Sequence, residues 1–252
     1  MELNNKLIAV TGAGRGLGRA IALALAARGA RLALIDVNRA DLEITEAELQ
    51  SRGGVCSLHV CNVADEQEVE ASFAAIQHLG SLAGLVNCAG ILRDGMLIKV
   101  KGGELVGKMS LAQWQAVIDV NLTGTFLCGR EGAALMARHG EGGVIINISS
   151  IARAGNMGQS NYAASKAGVA ALVVTWAREL ARHGIRVMGI APGVFATEMT
   201  AAMKPEAMDR MLQAIPAARL GEADQLADAV AFILGNDYLS GRMIELDGGL
   251  RL

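Results

Sequence analysis

Apolar runs of strand length alternate with longer amphipathic segments along nearly all of this 252-residue chain. The strand candidates are KLIAVTG, RLALIDV, VCSLHVCNV, AGLVNCAG, GVIINISS, GIRVMGIAPG and RMIELDGG. The helix candidates between them span residues 18–28, 40–52, 65–79, 111–139, 159–183 and 223–234. Such alternation is satisfied by parallel strands with right-handed helical crossovers, helices covering both faces of the sheet. A sheet buried on both sides also explains why the strands read as solid Val, Ile and Leu. It accounts for the 52% hydrophobic composition as well. A membrane span would need roughly 18–20 apolar residues, and AIALALAA is among the longest runs. Aromatics are 3% and glycines number 31, so small residues must let the helices lie close to the sheet. We expect an α/β fold, a doubly wound parallel seven-stranded sheet, in a single domain over residues 1–252.

Two stretches break the rhythm, residues 91–110 and 192–221. Both follow strands, and in such sheets ligands bind at the carboxyl ends of strands, so both are expected to wall or cover a site. The net charge of −2, with no basic block or acidic tail, argues against nucleic-acid or membrane partners. Cys56, Cys61, Cys88 and Cys128 show no metal spacing, and none is expected to ligate a metal. They read as reduced residues of a cytoplasmic protein, and the N-terminus has no signal-peptide pattern.

VTGAGRGLGRAIALALA runs from a strand through a tight turn into a helix. Glycines let the backbone turn sharply and approach a ligand, and a helix N-terminus offers free N–H groups to a pyrophosphate. The spacing GxGxxG is not met, because Leu17 stands where the third glycine would be. TGxxxGxG is met by Thr11, Gly12, Gly16 and Gly18. Asp36 ends the second strand, where a carboxylate can accept both ribose hydroxyls of an adenosine and would repel a 2′-phosphate. That favours NAD(H) over NADP(H). Arg15 and Arg39 stand close enough in sequence to pair with a 2′-phosphate instead, and an Asp before a helix is also an ordinary turn residue.

QSNYAASKAG places Tyr162 and Lys166 four apart, on one face of a helix. With TGAGRGLG, NCAG (87–90), NLTGTF around Asn121, Ser149 thirteen residues before Tyr162, APGVFAT and a terminal LDGG, the chain resembles the short-chain dehydrogenases/reductases over essentially its whole length. The resemblance implies a Rossmann-type fold with Tyr162 as catalytic acid/base and Lys166 lowering its pKa and holding the nicotinamide ribose. It further implies that Ser149 binds the substrate oxygen and Asn121 supports a water in a proton relay through Lys166. Asn87, Ala89 and Gly90 would meet the adenosine side of the cofactor. Pro192, Gly193, Phe195 and Thr197 would shape its nicotinamide end. Many members carry Asp-Val after the third strand; here it is Asn62-Val63, and an amide oxygen can accept the same adenine bond.

Reduction at a carbonyl carbon leaves negative charge developing on oxygen, so a positioned acid must supply a proton. A free tyrosine titrates near ~10, and a neighbouring ammonium favours its ionised form. A strand-end serine can stabilise the developing oxyanion. Parts of the sequence resemble 3-oxoacyl-[acyl-carrier-protein] reductases and parts resemble type 2 3-hydroxyacyl-CoA dehydrogenases. Both imply a 3-oxo/3-hydroxyacyl thioester on acyl-CoA or acyl carrier protein, and tetramers are usual in the family. Met199, Met203, Met208 and Met211 either line an acyl chain or simply pack a helix. Lys99, Lys101 and Lys108 either meet a phosphate or are solvated. The alternatives are a sugar, polyol, steroid or other secondary alcohol as substrate, and a silent dinucleotide sensor, in which loss of Tyr162 or Lys166 is expected.

Overall fold

The computed structural model describes residues 1–196, 200 and 205–251. The strands β1 (Leu7–Thr11), β2 (Arg31–Asp36), β3 (Val55–Val60), β4 (Leu82–Asn87), β7 (Gly143–Ile148), β8 (Ile185–Pro192) and β9 (Arg242–Leu246) form one sheet in the order β3-β2-β1-β4-β7-β8-β9. Every pairing in it is parallel. This is the expected doubly wound sheet. The chain starts at its centre, builds outward to β3, then returns to the other side of β1. The crossover opens a crevice between the carboxyl ends of β1 and β4.

Side chains alternate across the pleat, so each central strand feeds two cores. Ile8, Val10, Leu32 and Leu34 pack with α1 (Gly16–Ala26), α2 (Arg39–Ser51) and α8 (Ala223–Gly235). Leu7, Ala9, Ala33 and Ile35 pack with α3 (Glu66–Gln77), α5 (Gly124–His139) and α6 (Ser160–Glu179). The helices begin where a side chain can satisfy their free N–H groups. Asn38 accepts from Ala40 and Asp41 for α2, Asp65 from Glu68 for α3, and Ser110 from Gln113 for α4 (Leu111–Ile118). A reciprocal Glu222–Gln225 capping box starts α8. Asn38, rather than Asp36, therefore caps α2. No described helix is long and apolar enough to cross a membrane.

Two expectations need revision. The helix expected over 111–139 is interrupted: α4 widens into one π-turn, Asp119–Thr123, before α5 resumes. The Gly124 N–H reaches back five residues to the Asp119 carbonyl, and the Thr125 hydroxyl donates to the Asn121 carbonyl at 2.8 Å. The 91–110 stretch is not a plain loop. It folds into an antiparallel hairpin of β5 (Ile98–Lys101) and β6 (Glu104–Lys108), turning at Gly102-Gly103. The residues KVKGGELVGK carry the hairpin signal, a glycine pair between two short β-prone runs. In the second irregular stretch, α7 (Pro205–Ala214) holds Met211 against Ile215 and Leu250, a packing role. Met199 and Met203 lie outside the described residues.

The contact between α5 and α6 depends on a missing side chain. A Cβ at Gly129 would overlap the ring of Trp176, which is wedged against α5. Gly129→Ala is expected to destabilise the fold by about 1–3 kcal/mol through overpacking, despite the helix propensity of Ala. Urea unfolding would measure this, and a stability equal to wild type would show that Trp176 can move aside.

Candidate active site

At the crevice, the Thr11 hydroxyl is buried and accepts from the Cys88 N–H at 3.0 Å and the Ala89 N–H at 3.1 Å. It thereby stitches the end of β1 to the loop after β4. Gly12 has φ +68°, and a Cβ there would stand 2.9 Å from the Ala89 Cα. A Cβ at Gly18 would overlap the Gly12 carbonyl. Both positions therefore require glycine. Arg15 and Gly16 are exposed at the turn, and Leu17 is half-buried against the α1 core. The start of α1 carries no side-chain cap, so its first N–H groups are left to another acceptor.

The Asp36 carboxylate sits beside this turn. It accepts from the Gly14 N–H at 2.9 Å and the Asn38 N–H at 3.0 Å. Those two bonds fix the carboxylate between the glycine turn and the residue before α2. Arg39 points along the surface to Glu43, at 3.6 Å. The Asn62 amide oxygen is occupied by the Ala64 N–H at 3.1 Å, and Val63 is buried against Gly124. The Asn87 amide lies inside the sheet, donating to Asn147 of β7 at 2.9 Å. Its Oδ1 is buried and has no hydrogen-bond partner among the described residues. Pro192 ends β8, and the Gly193 N–H holds the Leu246 carbonyl at 2.9 Å. Phe195 is turned into the core. Thr197 lies outside the described residues.

Tyr162 stands in the first turn of α6 and Lys166 one turn later, with its Nζ 5.7 Å from the centre of the phenol ring. The other tyrosine, Tyr238, is 97% exposed. Lys166 is only 4% exposed and donates to the Ile148 carbonyl at 2.8 Å. Burial pushes its ammonium down to about 8. Burial also pushes the Tyr162 phenol up, against a hydrogen bond from Ser150 that lowers it; Asp94 and Cys88 add to the rise. The expected depression of the phenol by Lys166 is not found in this state, because desolvation dominates both groups.

The serine expectation also shifts. Ser149 is buried and its hydroxyl donates to the Lys166 carbonyl at 2.8 Å. Its N–H still bonds Ile190 of β8 at 2.7 Å, so it continues β7 and its side chain points away from the phenol. Strand alternation turns the next side chain the other way, and Ser150 is the hydroxyl that meets Tyr162. Counting thirteen residues back from the tyrosine overshoots it by one, since Ser150 stands twelve before Tyr162. The adjacent pair Ser149-Ser150 was the signal in the sequence.

Asn121 lies in the π-turn with no exposure. Its Oδ1 accepts from the Ile91 N–H at 2.8 Å, and its Nδ2 donates to the Ile91 carbonyl at 3.0 Å and the Ser165 hydroxyl at 3.2 Å. It ties the loop after β4 to α6. A Cβ at Gly90 would stand 3.3 Å from Asn121 Oδ1 and 3.5 Å from Lys166 Nζ, so glycine keeps that gap open.

These groups fit a dinucleotide. An uncapped helix start suits a pyrophosphate, a carboxylate at the end of β2 suits a ribose diol, and Lys166 has ammonium protons beyond the one given to Ile148. Residues 6–207 match the family described as short chain dehydrogenase. The chain belongs to the short-chain dehydrogenase family. It is an oxidoreductase acting on CH–OH groups, in a family that binds a nicotinamide dinucleotide. It is 40% identical to a human (3R)-3-hydroxyacyl-CoA dehydrogenase, covering 99% of this chain and 97% of that one. It is 41% identical to a 3-oxoacyl-[acyl-carrier-protein] reductase of Staphylococcus aureus, covering 96% of each. A solved 7α-hydroxysteroid dehydrogenase complexed with NADH and a 7-oxo bile acid superposes with a TM-score of 0.90 at 32% identity, covering 99% and 96% of the two chains.

The buried ammonium makes stability depend on pH. The unfolded chain keeps the Lys166 proton up to about 10.5 and the folded chain only to about 8. Between those values the unfolded state holds more protons, so this group adds stability as pH rises, on the order of 3 kcal/mol in all. Urea unfolding at pH 7.5 and pH 10 is expected to show the wild type gaining on Lys166→Met by that order. Parallel changes in the two proteins would refute the assignment.

Proposed function

We propose that the protein interconverts a 3-oxoacyl thioester and its 3-hydroxyacyl counterpart with NAD(H). The observation that carries the substrate class is the pair of relatives at 40% and 41% identity, both named for acyl substrates and both covered almost end to end. The bound nicotinamide supplies or accepts the hydride. Tyr162 gives its phenolic proton to the carbonyl oxygen, or takes one in oxidation, and Ser150 stabilises the charge developing on that oxygen. Lys166, held by Ile148, would favour the phenolate once the proton has left and would hold a ribose hydroxyl of the cofactor. Asn121 braces the floor of the site, and proton exchange with solvent uses the gap at Gly90. The presence of both a half-buried Tyr162 and a buried Lys166, ammonium beside ring, argues against a silent sensor.

Asp36, held by Gly14 and Asn38, supports NAD(H) over NADP(H), since its carboxylate would repel a 2′-phosphate. The reading includes a cytoplasmic homotetramer. Leu111 on α4 and Phe126 on α5 offer exposed apolar surface for it, and all four cysteines are free.

NADH oxidation should be screened over acetoacetyl-CoA, longer 3-oxoacyl thioesters, sugars and cyclic ketones. Turnover of thioesters is expected to exceed that of the others, and a preference for a sugar or steroid would overturn the substrate reading. Tyr162→Phe is expected to keep NADH binding and lose nearly all turnover. Ser150→Ala should cost about 10²-fold in kcat, while Ser149→Ala should act mainly on stability; the reverse pattern would return the role to Ser149. For the cofactor, the NADH to NADPH ratio of kcat/KM is expected to be well above one and to fall in Asp36→Ala. An NADPH preference in the wild type would reject the assignment.

A further inference from the structure

The hairpin insert is anchored to the acid/base residue rather than hung beside it. Its root, Arg93–Gly95, makes a set of hydrogen bonds with the residues flanking Tyr162. Asn161, immediately before the tyrosine, has no exposure. Its Nδ2 donates to the Arg93 carbonyl at 3.0 Å and the Gln113 carbonyl at 3.2 Å, while its Oδ1 accepts from the Tyr162 N–H at 2.8 Å. From α4, the Gln113 Nε2 donates to the Arg93 carbonyl at 2.8 Å and the Asp94 carbonyl at 3.0 Å. From the start of α6, the Gln159 Nε2 donates to the Asp94 carboxylate at 2.9 Å. The Gly95 N–H completes the seam with the Gly158 carbonyl at 2.8 Å.

Two features separate this from ordinary packing. The first turn of α6 has no side-chain cap at its entry residue, Gln159, so Asn161 is what satisfies the free N–H of Tyr162. A buried amide with all three hydrogen bonds placed is also rigid, because any rotation leaves a buried polar group without a partner. The direction of the phenol is thus set jointly by α4, α6 and the root of the insert.

We propose that Asn161, backed by Gln113, is a positioning residue for Tyr162. It makes the root of the 91–110 insert part of the frame that aims the proton donor at the substrate carbonyl. The inference rests on Tyr162 being the acid/base. A displaced donor costs rate and not binding: a misplacement of about 1 Å can lower turnover by about 10²-fold.

The test uses the full chain and a compact 3-oxoacyl thioester, acetoacetyl-CoA. Asn161→Ala and Gln113→Ala are each expected to lower kcat at least about tenfold, with KM and the NADH dissociation constant changed by less than about twofold. Asn161→Asp keeps the acceptor for the Tyr162 N–H but loses both donors. It is expected to match Asn161→Ala, which would locate the effect in the tie to the insert. Should Asn161→Ala fail to fold, Gln113→Ala decides, since it leaves α6 untouched. Variants that keep kcat within twofold would overturn the proposal. So would variants that lower only thermal stability or raise only KM. Activity surviving in Tyr162→Phe would sink the acid/base reading itself; a dead Tyr162→Phe beside active Asn161 and Gln113 variants would sink this inference alone.

Discussion

The site depends on the seam where β1 meets β4. Thr11 spends its buried hydroxyl on two successive N–H groups of the neighbouring loop, and the glycine turn leaves no room for any other path. Loops that leave a parallel sheet on either side of its reversal point must diverge, and a crevice opens between them. Holding the two backbones together at the base of that crevice fixes its depth. The glycine turn, which binds Asp36, and the loop that leads to Gly90 are thereby joined at one base, although 54 residues separate Asp36 from Gly90 in sequence.

Around that space, burial is the main electrostatic influence. A phenol and an ammonium one helical turn apart would be expected to draw toward the ion pair. Here both are shifted toward their neutral forms, because little solvent reaches either and the nearest fixed dipoles do not compensate. The arrangement suits a group that must change charge during turnover. At neutral pH the phenol is held protonated, as a proton donor must be, and a charged or polar ligand entering the crevice would be needed to favour its ionised form.

The sheet was legible because strands buried on both faces have an unmistakable composition, and so was its parallel order, which the helices between strands require. The helical turn that joins Tyr162 to Lys166 and the strand end that carries Asp36 were legible for a related reason: both are local features. Ser150 was not, since residue counting measures chain length, whereas what faces a phenol depends on the last strand residue and the pleat. The pairing of Asn87 with Asn147 was hidden likewise, because it is a cross-strand contact between residues sixty apart. Asn161 and Gln113 gave no signal at all. Their importance lies in three elements meeting, and no local pattern encodes a meeting.

The π-turn at Asp119–Thr123 looks like a small irregularity, yet it constrains how the gene can change. It holds one residue more than the α-helix on either side would use. The five residues of the wider turn advance about as far round the axis as four of an α-helix, so the bulge absorbs the extra residue and leaves the faces on either side in phase. Leu127 and Cys128 therefore stay in the core and Phe126 on the exposed flank. The constraint on the gene is thus local: losing the extra residue would spare the two faces and remove the widened turn in which Asn121 is held.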